Sequence, residues 1–88
     1  MADTSLLRQA QVRPQFEGQE LAGLEVRDLK EGSELADAGL EDGDVVVAVN
    51  GEDFKELARA YELLSKAAGV TVLDVQRGEE TISFELER

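Results

Sequence analysis

Apolar and polar side chains alternate over several stretches of this chain, and the alternation predicts strands. Val12, Pro14 and Phe16 are separated by polar residues, which is the period of a half-buried strand. Because proline has no backbone N–H group, we expect this first strand to be an edge strand or irregular. Further strands are predicted over residues 23–29, 44–49, 70–76 and 81–87.

Two helices are predicted between these strands. Ser33 is a suitable N-cap and Gly39 a suitable terminator for a short helix. Leu57, Tyr61 and Leu64 recur at helical spacing, so residues 57–68 should form a longer helix with one apolar face, ending before a glycine. Tyr61 either packs into the core or lines a groove beside this helix. The order β-β-short α-β-long α-β-β indicates an α+β fold.

Composition excludes several classes of function. The 88 residues contain nine basic and twenty acidic side chains, a net charge of −11, and neither histidine nor cysteine. Histidine-dependent or thiol catalysis, disulfides and the usual zinc ligands are therefore impossible. Nucleic-acid binding needs a basic face, which this chain lacks. The longest apolar run, Val45–Val49, is too short to span a bilayer. The sequence predicts a binding module and no enzyme.

The acidic residues offer no convincing catalytic or metal site. Asp42, Asp44, Glu52 and Asp53 lack the alternate spacing of a calcium loop and are interpreted as a solvated acidic surface. Glu79 and Glu80 are adjacent carboxylates in a predicted turn, where their charges would be exposed and would increase solubility. The glycine-rich phosphate-binding motifs G-x-G-x-x-G and G-x-x-x-x-G-K-[ST] are both absent from the sequence. Serine catalysis is not expected either, because the chain has no histidine to activate a serine. We therefore expect no catalytic residue, no metal and no cofactor.

Residues 32–51, GSELADAGLEDGDVVVAVNG, resemble the central signature of PDZ domains. The resemblance covers nearly the whole chain from Val12 onward. It implies a small antiparallel β-sandwich or partly open barrel of about five strands, capped by one short and one long helix. The PDZ domain would then occupy residues 12–88. Residues 1–11 would be an N-terminal linker or a short helix.

A narrower resemblance begins at the first strand. Residues 6–16, LLRQAQVRPQF, look like the entry to the C-terminal PDZ domain of GspC-type inner-membrane proteins of bacterial type II secretion systems. The run Asn50–Phe54 and the Arg77-Gly78 turn also resemble that family. Glu56 and Leu57 depart from its usual Ser/Thr-Pro helix start. The resemblance implies a periplasmic domain of a membrane-anchored chain that recruits exported substrates or assists assembly.

The same resemblance implies a peptide groove. PDZ domains accept an extended peptide as an added strand at a sheet edge, opposite a helix. Here the edge would be residues 23–29 and the helix residues 57–67. Glu17 and Glu20 precede the expected carboxylate-binding loop, so an internal or folded segment is favoured over a free C-terminus. The residues implied for the groove are Leu21, Ala22, Gly23, Leu24, Val26, Leu57, Tyr61 and Leu64.

Two other functions remain open. The signature is also similar to that of regulatory PDZ domains in periplasmic HtrA-type serine proteases, and a designed scaffold without a natural ligand is a third possibility. In the first two cases the partner is a protein or peptide. We expect no nucleic acid, no direct membrane contact by this domain, and a monomer in isolation.

Overall fold

The computed structural model describes residues 6–87. It contains a one-turn 3₁₀ helix, Leu6–Arg8, which we call the N-terminal turn. The predicted linker lies partly outside the described residues, and its extent stays a prediction. The helices are α1 (Glu34–Ala38) and α2 (Leu57–Ser65). The strands are β1 (Gln11–Glu17), β2 (Glu20–Arg27), β3 (Val45–Val49), β4 (Glu52–Asp53), β5 (Val70–Arg77) and β6 (Glu80–Glu87).

The strands form one antiparallel sheet in the order β1-β2-β3-β5-β6, with β4 paired to β3. This confirms the predicted PDZ-like α+β fold with one short and one long helix. The count of about five strands becomes six within residues 6–87 because the Asn50-Gly51 turn leads back into β4, where Val49 pairs with Glu52. A two-residue strand has too short a pattern to be predicted from sequence.

The caps of α1 lie where the sequence places them. The Ser33 hydroxyl accepts a hydrogen bond from the Ala36 N–H at 3.2 Å, and Gly39 ends the helix in the left-handed region, with φ of 113°. Helix α2 ends earlier than predicted, since its C-cap is Lys66 and not a residue next to Gly69. Both helices nevertheless begin at the predicted residues.

The core lies between the sheet and α2. It contains Leu24, Leu73 and Val75, which have no exposed surface, and Ala60 of α2. Leu6 of the N-terminal turn also belongs to this core, with 1% of its surface exposed. Its burial could not be predicted from the sequence because no periodic pattern surrounds it. The N-terminal turn is therefore packed against the domain.

The acidic surface predicted around residues 42–53 is only partly correct. Asp42, Glu52 and Asp53 are exposed. Asp44, in contrast, has only 2% of its surface exposed to solvent and forms an ion pair with Arg77. An isolated carboxylate would not be buried, so the arginine of β5 makes this position possible. Sequence analysis missed the pair because the two residues are far apart along the chain.

Candidate functional site

The strand predicted to accept a peptide is in the interior of the sheet. Strand β2 pairs with β1 on one side and with β3 on the other. The Val26 N–H donates to the Asp44 carbonyl at 2.9 Å, and the Val26 carbonyl accepts from the Gly43 N–H at 2.8 Å. The prediction that residues 23–29 form an open edge is therefore wrong. Residue patterns identify strands, but they do not reveal the order of strands in a sheet.

The predicted carboxylate-binding loop is also misplaced. Leu21, Ala22, Gly23 and Leu24 all belong to β2, and the Leu21 N–H donates to the Lys55 carbonyl at 3.3 Å. Three apolar side chains of β2 are almost fully buried: the exposed fraction is 4% for Leu21, 0% for Leu24 and 2% for Val26. These three side chains belong to the core. Gly23 is buried as well, and only Ala22 is exposed.

The open edge next to β2 belongs to β1. Among the described residues, β1 pairs with β2 alone, so its other side presents backbone groups to solvent. This confirms the edge position predicted from Pro14. The pairing of β1 with β2 shifts register between Gln15 and Phe16, where the additional residue is Ala22 of β2. Phe16 is 56% exposed, which is unusual for an aromatic side chain of this size.

Contacts at both ends of β1 lead toward helix α2. The N-terminal turn contacts both α2 and β1. At the other end of the strand, Phe16 pairs with Leu21, and Leu21 bonds to Lys55 just before the helix begins. Both ends of β1 are thus linked to α2 or to the residues just before it. We call the space between the outer edge of β1 and α2 the β1–α2 groove.

Three side chains of α2 were predicted to face a groove. Leu57 and Tyr61 are half-buried and pack against the core, whereas Leu64 is 4% exposed and belongs to it. Leu57 and Tyr61 thus keep part of their surface available, and their contact with a ligand stays a prediction. Leu64 offers little surface to a ligand in this arrangement.

Gln9 fixes the start of β1, a role that its sequence context did not indicate. Its carbonyl accepts from the Lys30 N–H at 2.8 Å. Its side-chain oxygen accepts from the Leu35 N–H at 3.0 Å, and its amide group donates to Glu34 at 3.1 Å. The chain entering β1 is therefore fastened to α1. These hydrogen bonds position the start of the open edge.

The charges at the two ends of β1 differ. Arg8 and Arg13 lie near its start, whereas Glu17 and Glu20 form the last pair of the hairpin at its far end. The two glutamates are therefore distant from the start of β1. Their negative charge gives no reason to disfavour a carboxylate bound there, since exposed charges are screened within about 10 Å. The preference for an internal segment over a free C-terminus stays a prediction.

A separate open cavity of about 570 Å³ lies beside the start of α2. It is lined by Gly51, Glu52, Asp53, Lys55, Glu56 and Arg59. Arg59 bonds to Glu52 at 2.6 Å and also to Glu62, and these carboxylates raise the pKa of its guanidinium. Arg59 and Glu52 are exposed and already paired with each other, and the other side chains lining the cavity are charged and exposed. It does not have the apolar character expected of a peptide groove.

Residues 6–87 contain neither a metal-ligand cluster nor a membrane-spanning helix. No group of three or more carboxylates is arranged there to hold a metal ion. No helix in the same range is long and apolar enough to cross a membrane.

Comparison with known proteins identifies the family. Residues 25–77, more than half of the chain, match the model of the PDZ domain. The periplasmic serine endoprotease DegP of Escherichia coli K12 is 35% identical over 60 residues, which are 68% of this chain and 13% of DegP. The chain thus spans a small part of the curated relatives that it matches.

Solved structures share the fold. The HtrA3 PDZ domain bound to a phage-derived ligand has a TM-score of 0.73 and 22% identity over 89% of this chain and 79% of that one. The PDZ domain of EpsC from Vibrio cholerae has a TM-score of 0.72 and 19% identity, covering 94% and 81%. The PDZ domain of pullulanase C protein from the Klebsiella pneumoniae type II secretion system, solved with a fatty acid, has a TM-score of 0.71 and 22% identity, covering 94% and 88%. With its matched residues, its sheet order and its two helices, this chain belongs to the PDZ domain family.

Proposed function

We propose that this chain is a non-enzymatic module that binds an extended apolar peptide segment in the β1–α2 groove. The observation that carries the proposal is the open edge of β1, together with the N-terminal turn that contacts both β1 and α2. An added strand would satisfy the outward backbone groups of the edge, which is how PDZ domains bind peptides. Leu57 and Tyr61 would supply apolar contacts from the helix.

The strand half of the proposed site differs from the sequence-based one. Val12 and Pro14 replace Leu24 and Val26 as the residues beside the ligand, because β1 and not β2 is the edge. The helix half retains Leu57 and Tyr61. Such a site requires only apolar contacts and backbone bonds, so neither a cofactor nor a catalytic group enters the proposal.

The cellular context that we propose is the periplasm, as part of an inner-membrane component of a type II secretion system. Residues 6–16 carry the sequence resemblance that supports it. The structural matches to EpsC and pullulanase C protein cover 94% of this chain, compared with 89% for HtrA3. The partner would be an exported protein or another component of the secretion system.

A regulatory PDZ domain of an HtrA-type protease is the second candidate. The observation that favours it is the 35% identity to DegP over 60 residues. The chain upstream of the domain in the intact gene product would separate the two. A transmembrane helix followed by a small β domain is expected for the secretion component, and a serine-protease domain for the alternative.

An amide-shift titration of the labelled domain tests the binding site. Mixed apolar peptides are added in two forms, with free and with amidated C-termini. We expect shifts along β1 and α2, and loss of binding on amidation would indicate capture of a terminal carboxylate near Arg8 and Arg13. Shifts confined to other surfaces, or none with either library, would contradict the proposed groove.

A further inference from the structure

The hydrogen bonding of β2 determines which backbone groups of β1 face the groove. Val26 directs its N–H and its carbonyl toward β3, where they bond to Asp44 and Gly43. Val26 therefore has no backbone group left for β1, although it lies directly opposite Val12. The two residues form a non-hydrogen-bonded pair of the antiparallel ladder. Val12 must then direct its own N–H and carbonyl outward, into the groove.

The same alternation applies two residues further along β1. Pro14 lies opposite Leu24, and the backbone of Leu24 faces β3 as that of Val26 does, because groups alternate sides with a period of two. Pro14 therefore also turns its backbone outward, but it has no N–H group to offer. Over residues 12–14 the outer edge presents the N–H of Val12 and the carbonyls of Val12 and Pro14.

An antiparallel ligand strand would pair unequally with these two positions. The ligand residue opposite Val12 exchanges two hydrogen bonds, whereas the residue opposite Pro14 can only donate to its carbonyl. The ligand carbonyl at that second position finds no backbone donor in β1. The register shift that follows lies on the inner side of β1, where Ala22 of β2 has no partner between Gly23 and Leu21.

We propose that Pro14 is a specificity-determining residue of the β1–α2 groove. It removes one backbone donor from the open edge two residues after Val12, so that a ligand is selected by its apolar side chains more than by strand length. The partner is thus a short apolar segment of a protein. This inference rests on the proposed function, because it concerns a ligand in the same groove.

Replacing the proline by a residue with an N–H group tests the inference. Pro14→Ala restores the missing donor, and Pro14→Val does the same with a side chain that favours strands. Gln15→Ala is the matched control, because the Gln15 backbone already faces Gly23 of β2. The probe is one acetylated apolar hexapeptide that shifts β1 amides in the wild type. Its affinity is measured by calorimetry, at concentrations where sedimentation shows each variant to be monomeric.

The restored donor should tighten binding of the hexapeptide about 3- to 10-fold, the change that one additional net hydrogen bond produces. Gln15→Ala should leave the affinity unchanged. An ester analogue of the hexapeptide, in which the carbonyl opposite position 14 becomes a weaker acceptor, should bind the wild type as the amide does. Pro14→Ala should bind this ester analogue less tightly than the amide hexapeptide, because the restored N–H group then meets a weaker acceptor.

Two results would overturn the inference, and they differ in whether the proposed groove is also contradicted. If the hexapeptide shifts β1 and α2 but both position-14 variants bind it as the wild type does, Pro14 does not select ligands and the proposed groove survives. If no apolar peptide shifts β1 in any variant, the proposed groove itself is wrong and the inference falls with it. The melting temperatures of the position-14 variants are compared with that of Gln15→Ala. Values within a few degrees of each other establish that both results come from folded protein.

Discussion

Arg77 and Asp44 are joined by two side-chain hydrogen bonds. The Arg77 Nε donates to Asp44 Oδ1 at 2.9 Å and Nη2 donates to Oδ2 at 2.7 Å. Asp44 also accepts from the Glu41 N–H at 2.9 Å, and Arg77 reaches the Gly39 carbonyl at 3.1 Å. The arginine further lies over the ring of Phe84, 5.5 Å from its centroid. The pair thereby fastens the turn before β3 to strands β5 and β6.

Asp44→Asn should destabilise the domain by about 1–3 kcal/mol, because the buried position loses its charged hydrogen bonds to Arg77, whose guanidinium is itself partly exposed to solvent. The free energy of unfolding, measured by chemical denaturation, checks this. Glu85→Gln is the control, since it removes a carboxylate from an exposed position of β6 and should change stability by less than about 0.5 kcal/mol. Equal effects of the two substitutions would show that the buried pair contributes no more than surface charge.

The stability should also fall in acid because of Asp44. Burial alone raises the pKa of this carboxyl, but the hydrogen bonds from Arg77 and the Glu41 N–H outweigh burial, and the net pKa lies below its usual value. A carboxyl with a lowered folded pKa contributes its full stability above its unfolded pKa of about 4, and loses it as the pH falls through the folded pKa. The difference in unfolding free energy between wild type and Asp44→Asn should therefore shrink between neutral pH and about pH 3. A constant difference over this range would contradict the assignment.

Local patterns predicted the elements well, and non-local contacts explain what they missed. Ser33 and Gly39 bounded α1 correctly because caps act on adjacent backbone groups. Pro14 indicated an edge strand because its missing N–H is also a local property. The groove was assigned to β2 because nothing local states that β2 has a neighbour on each side. The burial of Asp44 depends on Arg77, 33 residues away, and no local pattern encodes it.

Gly23 is a position where even one methyl group should be destabilising. A Cβ atom at this residue would lie 2.5 Å from Val45 Cγ1 and 2.8 Å from the Val46 carbonyl oxygen. Gly23→Ala should therefore cost about 1–3 kcal/mol, the usual range for overpacking. Adding Val45→Ala should recover only part of the loss, because the carbonyl of the neighbouring strand remains. Thermal melting of the single and double variants measures both effects, and an unchanged single variant would mean that β2 and β3 separate more easily than the structure indicates.

Tyr61 should be required for ligand binding more than for stability if the β1–α2 groove is correctly placed. Its side chain is half-buried beside Leu57, so Tyr61→Glu would bring a charge into the apolar wall of the groove. We expect the affinity for an apolar peptide to fall at least about tenfold, because desolvating an unpaired carboxylate costs more than 1.4 kcal/mol. The affinity is measured by calorimetry with a peptide that shifts α2 amides in the wild type.

Ala58→Glu is the matched control for this prediction. It adds the same charge one turn away on the exposed face of α2 and should leave the affinity unchanged. Tyr61→Phe retains the apolar ring and should also bind normally. If Tyr61→Glu kept the wild-type affinity, the groove would not run along this face of the helix. If it instead lowered the unfolding free energy as a core substitution does, by about 3 kcal/mol or more, Tyr61 would be a core residue that packs the helix onto the sheet.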